Sequence, residues 1–137
     1  MGAKRVPVFA CLITAPAVSA WAAAAAAATG EEVYRRTCAA CHASGAAGAP
    51  KFGDKQAWSK LIKESQATLT ADGYVGIRAM PPKGGDPNLG LEDFAKAVAY
   101  MARAAGADWK DPDAAAMKRI AAAVERAQAR AAKATKK

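Results

Sequence analysis

Histidine is almost missing from this chain: His42 stands alone among 137 residues. Cysteine is scarce as well, with three, and Cys11 falls in an N-terminal stretch that reads as a leader, leaving Cys38 and Cys41. So small a set is too short of ligands for a Cys/His zinc centre and offers no second imidazole to any metal. Val and Ile are sparse and no stretch alternates apolar with polar residues, which removes strands and leaves an all-α chain dominated by Ala. Large apolar side chains are also few, with aromatics at 7%. Alanine inflates the apolar share but buries little area, and domains this small lean on a metal, a disulfide or another internal staple. No nucleic-acid-binding motif is present either, which argues against a nucleic-acid partner.

What is present begins with an address. Lys4 and Arg5 form a positive n-region, Val6 to Val18 is largely apolar, and Val18-Ser19-Ala20 and the Ala run to Ala28 offer the small residues that a signal peptidase reads. Residues 1–28 are expected to be a secretory signal and the product periplasmic. The rival is an uncleaved membrane anchor, since about 20 apolar residues span a bilayer, although Pro7 and Pro16 interrupt the stretch. Cleavage would take Lys4 and Arg5 with it and lower the formal charge from +8 to +6. A basic exported protein suits acidic redox partners or anionic membrane surfaces.

Beyond the leader, Thr29-x-x-Glu32 is a capping box for a first helix that runs into Cys38. Gly45, Gly48 and Pro50 make residues 43–53 a loop. Asp54 caps a helix over 55–64 whose core face is Trp58, Leu61 and Ile62. A shorter helix is expected around 67–74, with continuation toward Arg78 left open. Met80-Pro81-Pro82-Lys83-Gly84-Gly85 cannot be helical. Leu91, Phe94, Val98 and Met101 mark another helix ending near Gly106. Asp111-Pro112-Asp113 opens a last one, with Asp111 as cap and Pro112 at its first position. The domain itself is placed at 29–106 and a helical Ala/Lys-rich extension at 107–137.

Cys38-Ala39-Ala40-Cys41-His42 carries the chemistry. The i, i+3 spacing puts both thiols on one side of a helical turn, where they add across the vinyl groups of a haem, and His42 then ligates iron. A thioredoxin-like pair would want a βαβ context, and a structural disulfide is a poor match to so short a loop followed by the chain's single His. Haem c, one per chain and covalent, is the cofactor. The sixth iron position must fall to Met, Lys, a terminal amine, water or nothing. Met101 and Met117 lie on helical apolar faces, whereas Met80 lies in a proline-stiffened loop that no helical stripe explains. Met80 is the axial candidate.

Together these residues resemble the cytochrome c5 family of class I c-type cytochromes. The likeness runs over about residues 30–104: the attachment site, Gly45, Gly48-Ala49-Pro50-Lys51, Gly53-Asp54, Trp58, Met80 to Gly85, and Ala97-Val98-x-Tyr100-Met101. It implies a small fold of about four helices round one haem, with Tyr34 and Tyr100 near the crossing of the first helix and the one holding Tyr100. It also implies that the Pro50 carbonyl accepts a bond from Nδ1 of His42. Trp58 has two readings, a hydrogen bond to a haem propionate or plain core packing. Family members often carry a second cysteine pair after the Met loop; residues 85–90 here have none.

Residues and resemblance agree on outer-sphere electron transfer without catalysis. Lys51, Lys55 and Lys83 flank the cofactor segments and are either a docking collar for acidic partners or ordinary solvated lysines. A haem enzyme or gas sensor would need a displaceable sixth ligand, and a membrane-tethered module delivering electrons to an oxidase or reductase would need the leader retained. The basic tail reads as a solvated helix packed on the domain or as an arm for anionic lipid.

Overall fold

The structure, a computed structural model, describes residues 27–136. The expected leader over 1–28 falls almost wholly outside the described residues, as do Cys11 and Lys137. Five helices follow: α1 over residues 30–42, α2 Lys55–Ile62, α3 Gln66–Val75, α4 Leu91–Ala104 and α5 Ala114–Ala134. Among the described residues there is no strand, only an isolated antiparallel bridge from Ile77 to Met80.

The caps explain where the helices start. Thr29 and Glu32 form the reciprocal capping box, the Thr29 hydroxyl accepting from Glu32 N–H and the Glu32 carboxylate from Thr29 N–H. Asp54 accepts from the N–H groups of Gln56 and Ala57, and Ser65 accepts from that of Thr68. The last helix differs from expectation. Asp113, not Asp111, is its cap, accepting from Ala116 N–H at 2.7 Å, so Pro112 stands before the cap instead of inside the first turn. Asp111 is used otherwise, accepting from the Arg103 guanidinium at 2.9 Å. Continuation of α3 toward Arg78 also fails: Gly76 at φ 94° ends it, and a Cβ there would meet the Pro82 nitrogen at 2.9 Å.

Helix α1 crosses α4, and Gly30 permits the close approach. A Cβ on Gly30 would lie 2.3 Å from the Lys96 carbonyl oxygen and 3.1 Å from Tyr100 Cβ. At this crossing Tyr34 stacks on Phe52 with centroids 4.5 Å apart, and Phe52 stacks on Tyr100 at 5.4 Å. Val33, Phe94, Ala97, Val98, Met101 and Ala102 continue the core from there. A second, mostly alanine core joins α5 to the rest through Ala71, Ala95, Ile120, Ala123, Val124 and Ala127. Small residues let α3 and α5 lie close, and Ile120, 1% exposed, fills the seam. The connection between α4 and α5 is tied down as well: Gln66 donates to the Lys110 carbonyl and Arg103 to that of Trp109.

Candidate functional site

Helix α1 delivers the attachment motif after a local change of pitch. Residues Tyr34–Cys38 form a widened turn in which Ala39 N–H reaches the Tyr34 carbonyl five residues back, within the helix that the sequence runs into Cys38. Normal α pitch resumes over Ala39–His42. Cys38, Cys41 and His42 then line one cavity of about 270 Å³. The two thiols are not bridged to each other. Burial pushes the Cys38 thiol up to about 11, so at neutral pH it is protonated. A redox pair of the thioredoxin kind needs the opposite, a thiolate stabilised at neutral pH.

His42 is 7% exposed, and its Nδ1 lies 2.9 Å from the Pro50 carbonyl oxygen. A carbonyl can only accept, so the proton belongs on Nδ1 and the lone pair on Nε2. The 43–54 loop supports this contact: Phe52 N–H donates to the His42 carbonyl at 2.7 Å and Asp54 N–H to that of Lys51 at 3.1 Å. Trp58 lines the cavity too, at 3% exposure. Its indole N–H donates to the Lys51 carbonyl at 2.9 Å, which is the partner this donor has within the protein.

Met80 lines the same cavity from a segment that is fixed at both ends. Its N–H donates to the Ile77 carbonyl at 2.9 Å, and Ile77 N–H donates back to the Met80 carbonyl at 3.1 Å. Arg78 turns the chain between them at φ 54°. Pro82–Gly85 is a pair of tight turns, Lys83 and Gly84 having positive φ, so the expectation that residues 80–85 form no regular helix holds. On the α3 side Gly73 makes room: a Cβ there would stand 3.2 Å from Phe94 Cζ and 3.7 Å from Met80 Cε.

Other lining residues were not singled out in the sequence as site residues. Leu61, Leu69, Phe94, Val98 and Met101 make the walls apolar, and Glu64, Asp72 and Arg78 bring charge. Met101 is therefore both a core residue and a cavity wall. Tyr34 and Tyr100 do not line the cavity; they pack with Phe52 at the helix crossing. The lysines divide. Lys51 and Lys55 are exposed, whereas Lys83 Nζ donates to the Pro87 carbonyl at 2.9 Å and sits 5.4 Å over the Tyr74 ring. Lys83 thus braces its own loop, while Lys51 and Lys55 stand free of it.

The donor set fits a covalently held haem. Two thiols at i, i+3, an imidazole with its second nitrogen occupied and a thioether share a cavity with apolar walls. The bound group supplies an iron that gains and loses one electron. The protein's part is to hold that iron, exclude water and set its electrostatic surroundings.

Comparison with known proteins agrees. A family model described as "Cytochrome C oxidase, cbb3-type, subunit III" matches residues 25–101. Cytochrome c-555 of Chlorobaculum thiosulfatiphilum is 44% identical over 79 residues, covering 55% of this chain and 92% of that protein. Cytochrome c5 of Azotobacter vinelandii is 35% identical over 75 residues, covering 53% of this chain and 90% of that protein. A solved cytochrome c, from a crystal structure of an electron transfer complex with nitrite reductase, is 47% identical with a TM-score of 0.54. It covers 56% of this chain and 93% of its own. The chain belongs to the monohaem class I c-type cytochromes and carries covalently bound haem c. Helix α5 lies beyond the residues that the family model matches.

Proposed function

We propose that this chain is an exported one-electron carrier of the periplasm in which His42 and Met80 are the axial ligands of the haem iron. The observation that carries the reading is the His42–Pro50 contact at 2.9 Å, with Nε2 left for iron, together with a Met80 that lines the same cavity from a doubly hydrogen-bonded turn. Iron filled on both faces takes no substrate, so electrons cross at the haem edge and the chain is not an enzyme. Thioether ligation and apolar walls both favour the ferrous state and so raise the potential. An optical spectrum of the purified protein tests this. A thioether-to-ferric charge-transfer band and slow carbon monoxide binding after reduction are expected; rapid carbon monoxide uptake by the native protein would refute the assignment.

Partners are redox proteins with acidic docking faces, met by the exposed Lys51 and Lys55. The exposed basic side chains of α5, among them Lys118, Arg119, Arg126 and Lys133, favour loose association with anionic lipid as well. A second reading, a membrane-tethered module feeding an oxidase or reductase, draws on the oxidase-subunit family model and on the solved relative's complex with nitrite reductase. Among the described residues no helix is long and apolar enough to cross a membrane. Membrane fractionation with N-terminal sequencing of the native protein separates the two: a soluble product that has lost its leader supports the carrier, and a retained leader in the membrane fraction supports the module.

A further inference from the structure

Helix α5 reaches the haem cavity electrostatically although it contributes nothing to its lining. Its Arg130 Nη2 lies 2.6 Å from Oδ1 of Asp72, and Asp72, on α3, does line the cavity. The Asp72 side chain is 22% exposed against 60% for Arg130, so the carboxylate is the more enclosed partner. Glu64 and Arg78 are the other charged lining residues; both are exposed, and among the described residues neither has an ion-pair partner.

An uncompensated carboxylate on the wall of a low-dielectric cavity favours the more positive oxidation state of an iron held there, and so lowers its reduction potential. A guanidinium paired with that carboxylate cancels most of its field. The pair contributes little to holding α5 in place, because half-exposed ion pairs are weak and the alanine seam around Ile120 already does that. We propose that Arg130 is a tuning residue: by neutralising Asp72 it holds the haem potential up, and the C-terminal helix is thereby a working part of the redox site. The inference needs the covalent haem but not a particular sixth ligand.

Potentiometric titration of the full-length holoprotein tests it. Arg130→Gln is expected to lower the midpoint potential, Asp72→Asn to raise it, and the double variant to lie between the two, near the parent. Arg130→Lys restores the parent value, since charge and not fork geometry is what matters. Lys133→Gln, an exposed cation one turn along the same helix, leaves the potential where it was. Two results would overturn the proposal. One is an unchanged potential in both Arg130→Gln and Asp72→Asn, with only the unfolding temperature moved, which makes the pair a helix anchor. The other is a shift in Lys133→Gln as large as that in Arg130→Gln, which makes the effect one of overall helix charge.

Discussion

At Met80 the chemistry and the backbone are separable, because the turn that presents the side chain is built from main-chain bonds and not from the thioether. Met80→Ala is therefore expected to keep the fold but lose the charge-transfer band, bind carbon monoxide readily when reduced and show a lower potential. Gly30 behaves in the opposite way, since it touches no cofactor and its whole value is space. A Cβ there lies 2.3 Å from the backbone oxygen of Lys96, and backbone yields less easily than a side-chain tip. Gly30→Ala should cost about 1–3 kcal/mol through a forced separation of α1 and α4, read as a lower unfolding temperature with an unchanged ligand spectrum.

At the scale of elements, the caps and the seam of α5 carry separate energies. Asp54→Ala removes the acceptor for two orphan N–H groups at the start of α2 and is expected to cost about 1 kcal/mol in denaturant unfolding. Ile120→Ala leaves a cavity among residues too small to close it, and should cost about 2–5 kcal/mol, with amide exchange accelerating in α5 before α1. Local signals made much of this legible beforehand. The Thr29–Glu32 box, the Asp54 cap and the breakers between Met80 and Gly85 act over a few residues, and each stands where the sequence puts it. The His42–Pro50 contact came from family likeness and not from any local rule. What sequence reasoning missed has no cap or breaker to announce it. Lys83 is claimed by Pro87 and Tyr74, the Trp58 donor by Lys51, and Arg130 by an aspartate 58 positions away. Asp111 and Asp113 are equally good caps on paper; Arg103 takes the first, and the helix starts at the second. The widened turn at Tyr34–Cys38 has no compositional mark.

At the scale of the molecule, charge is expected to govern how the proposed acidic partners arrive. The formal charge is +6 once the expected leader with Lys4 and Arg5 is gone, and exposed cations lie both beside the attachment loop and along α5. Electron transfer with an acidic partner should slow steeply as salt rises, because screening shortens to about 8 Å at physiological ionic strength. Lys51→Glu with Lys55→Glu is expected to cut the second-order rate about tenfold at low salt and much less at high salt in stopped-flow measurements. Lys83→Gln, whose ammonium is already committed to its own loop, should change that rate little.

The doubly bonded turn between Ile77 and Met80 has a consequence for speed. Both of its ends are fixed, and the next two residues are prolines whose φ cannot swing. On the axial role proposed for Met80, a sulfur carried on so little free chain would leave few atoms to rearrange when an electron arrives or departs. The reorganisation that accompanies each change of oxidation state would then be confined to the solvent and to a few bond lengths at the metal. Electron exchange is then expected to be limited by encounter with the partner and not by the chemistry at the metal.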